Sequence, residues 1–119
     1  MIIEKFNELD SLISYLKNVE RELILKALKF SNKAHKNQLR KSGEPFIFHP
    51  IEVAKILTTI KLDGDSIVAG LLHDTVEDTA LTVSNIKEIF GQQILLVLLS
   101  NPLLLLTKVF CNFLLTFAY

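Results

Sequence analysis

Apolar residues recur along most of this chain at the spacing of helices rather than strands. From Phe6 to about Lys17 they fall at Phe6, Leu9, Leu12, Ile13 and Leu16, one face of a 3.6-residue repeat. A second helix over about 19–38 aligns Leu23, Ile24, Ala27, Leu28, Ser31, Ala34, His35 and Gln38, with Lys26, Lys29, Lys33 and Lys36 largely on the other side. The pattern then breaks. Leu39-Arg40-Lys41-Ser42-Gly43-Glu44-Pro45 has no periodicity and carries Gly and Pro two apart, so it reads as a loop. His49-Pro50 opens the next helix, with Pro at a favoured first position, and Ile51, Ala54, Ile56, Leu57 and Ile60 carry it to about Lys61. Leu62-Asp63-Gly64-Asp65 forms a turn ahead of a helix over about 65–79, and Thr82-Val83-Ser84 starts another that Gly91 ends. No internal repeat, low-complexity linker or useful alternating pattern interrupts this series. The fold class is all-α.

Composition divides the chain in two. Residues 1–93 hold 25 of the 26 charged side chains, whereas residues 94–119 hold one, Lys108, and 19 of those 26 are apolar. No acidic residue follows Glu88. With 119 residues there is room for one small domain. The formal charge of zero argues against broad electrostatic capture of nucleic acid or an anionic membrane. A lone cysteine, Cys111, provides no internal disulfide framework and fits a reducing compartment. With no apolar run of signal length at the N-terminus, the expected location is cytoplasmic.

Chemistry concentrates around His73. On a continuous helix with His73 at zero, Glu77 falls at about 40°, Asp74 at about 100° and Asp78 at about 140°, while Val68, Leu71, Leu72, Thr75 and Val76 fill the arc from about 160° to 300°. Gly70 falls at about 60°, inside the polar arc, where it leaves space for a ligand, and Ile67 breaks the pattern at about 120°. Three carboxylates and an imidazole this close repel one another unless something positive sits among them, and imidazole with carboxylate is a natural donor set for a divalent metal. A plain solvated helix face would carry the same charges. His49, at the start of a separate helix, tips the balance, because an isolated His and a later His-Asp pair form the pattern of HD-type metal phosphohydrolases.

Residues 34–50, Ala-His-Lys-Asn-Gln-Leu-Arg-Lys-Ser-Gly-Glu-Pro-Phe-Ile-Phe-His-Pro, resemble the entry to the hydrolase domain of the RelA/SpoT alarmone family. Residues 69–79, Ala-Gly-Leu-Leu-His-Asp-Thr-Val-Glu-Asp-Thr, resemble its central signature. The resemblance covers about 1–92 and implies an HD-domain-like helical bundle. Family members remove the 3′-pyrophosphate from guanosine tetra- or pentaphosphate, usually with manganese. By that resemblance His49, His73 and Asp74 are metal ligands, and Glu77 and Asp78 activate or orient the attacking water. Arg40 and Lys41 lie in the loop that holds the guanine nucleotide, with Ser42 as a base contact. His35 reads as a packed helix-face histidine, or one that supports a ligand, rather than a ligand itself. Asn37 stands where relatives often have Gly.

The family takes a fourth ligand, an Asp, from a later helix, and no residue here matches it. Manganese is therefore expected to be weakly held, and the hydrolase to be slow or inactive. The domain reading is a partial hydrolase domain over 1–92 and an apolar, helical, non-family tail over 93–119, the expected product of a frameshift or a split gene. Three alternatives stand beside slow catalysis: a nucleotide-binding or regulatory fragment, half of a split enzyme completed by a second fragment, and a membrane-attached remnant. Residues 89–107 carry no charge and approach the length of a span, but Gln92, Gln93, Ser100, Asn101 and Pro102 interrupt them. A tail folded back over the core, or paired with another copy, is the remaining reading.

Overall fold

The periodic segments become helices in the computed structural model, which describes residues 2–75 and 82–100. These are α1 (Ile2–Leu12), α2 (Asn18–Ala34), α3 (Phe48–Thr59), α4 (Gly64–Leu72), α5 (Val83–Phe90) and α6 (Gln92–Ser100). Among the described residues there is no strand, and the sole bridge pairs Leu39 with Pro45. The fold is the all-α bundle that the apolar spacing predicts.

Helix boundaries move for identifiable reasons. The face predicted to reach Lys17 continues past the end of α1 in tighter turns, through Ser14 N–H to Ser11 O and Leu16 N–H to Ile13 O, and Ile13 is still buried. Helix α2 stops at Ala34 because Asn37 adopts φ 68°, a left-handed conformation that Asn tolerates better than most residues. Helix α3 begins at Phe48. Pro50 therefore sits third in the helix rather than first, where its missing N–H still costs no intrahelical bond.

The largest correction falls on the helix expected over 65–79. Asp63 caps α4 by accepting from Ser66 N–H at 3.2 Å, but the helix ends at Leu72, and His73 and Asp74 form a turn. Two side chains bond carbonyls of the last turn of α4. His73 Nδ1 lies 2.6 Å from Gly70 O, and the Thr75 hydroxyl donates to Leu72 O at 2.7 Å. Such local side-chain bonds compete with helix continuation. Helix α5 follows its prediction: Thr82 accepts from Asn85 N–H, Asn85 accepts from Thr82 N–H, and Gly91 at φ 91° ends the helix.

Helix α4 forms the centre. It packs against α2, α3 and α6, while α1 lies on α3 and α5 on α6. Ile67, Val68, Ala69, Leu71 and Leu72 are fully buried, among Ile24, Ala27 and Leu28 of α2, Ile51, Val53, Ala54 and Leu57 of α3, and Ile94 and Leu95 of α6. Each large side chain so placed contributes about 1.5–3 kcal/mol relative to exposure. Gly64 allows α4 to start against α2, since a Cβ there would stand 2.8 Å from Glu20 Cβ. Phe30 and Phe90 meet edge to face at 5.2 Å, and Lys26 Nζ donates to Ile89 O, fastening α5 to α2.

Residues 92–100 thus fold back as a further helix on the core, one of the readings left open for the tail. No helix among the described residues is long and apolar enough to cross a membrane. The remainder of the apolar segment, 101–119 with Lys108 and Cys111, lies outside the described residues.

Candidate metal centre

Two segments bring the site together. His49 enters on the first turn of α3, directly after the 38–46 loop, and His73-Asp74 follow the last turn of α4. Because α3 and α4 pack along each other, the two segments converge. One donor atom from each of His49, His73 and Asp74 lies within 4.8 Å of the others. His49 Nε2 stands 3.2 Å and His73 Nε2 3.1 Å from the same oxygen, Asp74 Oδ2. The His49 and Asp74 side chains are nearly out of water, 6% and 3% exposed.

The hydrogen bonding of His73 determines what this cluster needs. A carbonyl only accepts, so the 2.6 Å contact with Gly70 O places the proton on Nδ1 and leaves the Nε2 lone pair of the neutral ring free. That Nε2 is buried and makes no hydrogen bond among the described residues, yet it faces a carboxylate oxygen at 3.1 Å. Two imidazole nitrogens and a carboxylate oxygen this close, in a site nearly out of water, form a donor set that favours positive charge between them. A divalent cation supplies that charge among its preferred donor types, and the second-nitrogen bond from His73 to a carbonyl is the usual way a ligating imidazole is oriented. The residues present fit a metal.

The expected nucleotide residues occupy the neighbouring loop. Gly43 N–H donates to Arg40 O at 2.8 Å, Arg40 N–H donates to Glu44 O at 2.8 Å, and Gly43 has φ 88°, a turn whose last position needs the left-handed region. Arg40 is half-buried, and Lys41 and Ser42 are exposed at the tip. The loop closes where Phe46 N–H donates to Gln38 O at 2.9 Å, and His49 N–H donates to Phe46 O at 3.0 Å, tying its base to the helix turn that carries His49. Glu77 and Asp78, the expected water-activating pair, lie outside the described residues.

A sequence model of the HD-domain family matches residues 27–99. The chain belongs to the HD-domain family. Within that match lie every residue of the metal cluster and the 38–46 loop. This HD domain is 58% identical over 80 residues to the putative chloroplastic GTP diphosphokinase RSH1 of Arabidopsis thaliana, covering 66% of this chain and 9% of the relative. It is 42% identical over 87 residues to the guanosine-3′,5′-bis(diphosphate) 3′-pyrophosphohydrolase of Aquifex aeolicus, covering 73% and 12%. Against the bifunctional (p)ppGpp synthase/hydrolase SpoT of Escherichia coli it is 40% identical over 90 residues, covering 75% and 13%. The HD domain is thus homologous to the RelA/SpoT enzymes, and the chain spans about a tenth of the length of these relatives.

Two features escaped the sequence reading. Gly70 appeared as a gap beside the helix, whereas its carbonyl orients His73. Phe46 drew no attention, yet it lies between the rings of His35 and His49. Its position three residues before His49 was the available signal.

Proposed function

We propose that this HD domain is a manganese-binding, guanosine tetra- or pentaphosphate 3′-pyrophosphohydrolase-like domain with slow or no turnover on its own. The observation that carries the reading is the convergence of His49 Nε2 and His73 Nε2 on one oxygen of Asp74, with His73 Nδ1 held at Gly70 O. His49, His73 and Asp74 would hold the cation. Their donor atoms lie within 4.8 Å of one another, close enough to share one cation. Manganese is the ion that the resemblance to the RelA/SpoT hydrolases implies, and imidazole with carboxylate is a donor set it accepts. When bound, the cation supplies water activation and offsets phosphate charge.

In this reading the chain's own residues do the rest. Glu77 and Asp78 take the proton from the attacking water and orient it. Arg40 stacks on guanine, Lys41 offsets phosphate charge, and Ser42 meets the base edge. A cation held by the three donors His49, His73 and Asp74 is expected to be stripped by mild chelation. Positioning errors of about 1 Å cost on the order of a hundredfold in rate.

The test is a manganese titration of the purified chain, followed by an assay for pyrophosphate released from guanosine tetraphosphate. Reversible binding with slow, manganese-dependent release that Glu77→Gln abolishes supports the reading. Binding of nucleotide without release assigns a regulatory or binding role instead. A rise in rate on adding a second chain that carries an Asp-bearing helix assigns a split enzyme. No manganese uptake, or equal uptake by His73→Ala, refutes the metal centre.

A further inference from the structure

The two imidazoles of the metal cluster are held differently. His73 has its second nitrogen fixed by Gly70 O. His49 has no such anchor: its Nδ1 is buried and without a hydrogen-bond partner among the described residues. A ligating histidine whose second nitrogen is not bonded must take its orientation from packing. The rings against His49 are His73, at 5.7 Å between centroids, and Phe46, edge on at 6.0 Å. Phe46 is in turn backed by a third histidine, His35, whose ring lies 4.5 Å away and tilted by 34°.

His35 also touches the other end of the loop. Its Nδ1 lies 3.0 Å from Gln38 Oε1, and an amide oxygen only accepts, so Nδ1 donates. Gln38 and Phe46 are the residues whose backbones join at the base of the 38–46 loop. A single buried ring, 3% exposed, thus bonds to the residue where the loop departs and packs on the residue where it returns. Its Nε2 is buried and makes no hydrogen bond among the described residues. A group placed only to satisfy the core would not carry an unused polar atom, because an apolar residue of the same shape would avoid that desolvation cost.

We propose that His35 is a positioning residue: through Phe46 it sets the orientation of His49, and through Gln38 and Phe46 together it pins the base of the loop that carries Arg40 and Lys41. This rests on the reading of His49 as a metal ligand, deepens it, and adds a coupling between loop and metal. Loosening the ring should weaken both. Partners that orient ligands from outside the coordination sphere typically change metal affinity about 10- to 100-fold.

The test compares four variants of the full chain. Manganese affinity is measured well below the melting temperature, melting is recorded without metal, and amide exchange is followed at Arg40 and Phe46. His35→Ala should weaken manganese about tenfold and speed exchange at both amides. His35→Phe keeps the ring but loses the Gln38 bond, so it should restore manganese affinity to within about threefold while exchange stays fast. Phe46→Leu, a change at a half-buried site, should weaken manganese as His35→Ala does. Leu28→Ala, elsewhere on α2, should lower the melting temperature and leave manganese affinity alone. If His35→Ala behaves like Leu28→Ala, with a lower melting temperature and parental affinity, the role is structural and the proposal is overturned. If the parent takes up no manganese, the metal centre itself is refuted. The exchange data then decide for the loop alone: unchanged Arg40 and Phe46 amides in His35→Ala overturn its hold on the loop base, and faster ones uphold that hold while the orienting of a ligand is lost with the metal centre.

Discussion

Helices α4 and α6 have the same length, nine residues, are both dominated by apolar residues, and pack on each other. Their fates differ. In α4 every residue except Asp65 is buried, because α2, α3 and α6 all pack on it. In α6 only Ile94 and Leu95 are buried among the described side chains, and Leu96 and Leu99 remain 50% and 64% exposed. Hydrophobicity alone therefore does not say how much water a helix loses. The number of neighbours does, and it decides which helix can present chemistry. A segment locked on three sides delivers His73 and Asp74 at a defined position, whereas a helix covered on one side is a lid on the core.

The largest expected effect lies where α4 delivers its ligands. Asp74→Asn or His73→Ala should weaken manganese binding by more than about a hundredfold, beyond what an outer partner contributes. The same titration on Leu99→Gln, at the far end of α6, should show no change. A comparable loss from Leu99→Gln would erase the distinction between the two helices.

Core truncation sharpens the contrast next. Leu71→Ala removes a fully buried side chain of α4 and should cost about 2–5 kcal/mol in denaturant unfolding. Leu96→Ala on α6 should stay within about 1 kcal/mol, in the range of partly exposed sites. Equal costs would mean that α6 is as deeply held as α4. Gly64→Ala comes next in size. Its new methyl would meet Glu20 Cβ at 2.8 Å, and forcing α4 away from α2 should cost about 1–3 kcal/mol.

The smallest effect lies at the surface, between α1 and α3. Lys55 Nζ sits 2.6 Å from Glu8 Oε1. Its hydrogen bond and then its charge hold the Glu8 carboxyl below its ordinary 4.5. A carboxylate with a lowered folded pKa adds stability that is present above 4.5 and disappears as the pH falls through the folded value. In a pH series Glu8→Gln should therefore lose stability slightly at neutral pH and match the parent once the carboxyl is protonated. A constant difference down to low pH would show that packing rather than charge is responsible.

Most helices were legible in the residues because a 3.6-residue apolar repeat requires only local information. Thr82 and Gly91 announced both ends of α5 for the same reason. The candidate metal residues were legible by type and order, His49 and then His73-Asp74, and they do converge. Their geometry was not. The helical wheel assumed a continuous helix through Asp78, whereas α4 ends at Leu72 and His73-Asp74 form a turn. A carbonyl has no signature in the sequence, and the role of Gly70 O could not be read from it. Phe46 had one, its place before His49, but its meaning required knowing that His35 lies behind it.

The order of residues by itself determined the helical class, the loop marked by Gly43 and Pro45, and the donor set of two imidazoles and a carboxylate, since these depend on backbone preference and chemical type over short distances. Only the tertiary structure decided that α4 is the covered helix and α6 the partly open one. It alone brought His49 within 3.2 Å of Asp74 across two segments, set His73 Nδ1 against Gly70 O, and placed His35 behind His49 through Phe46. Those outcomes depend on which faces meet after folding. Burial and ring orientation are properties of contacts between residues far apart in the chain, and no local pattern encodes them.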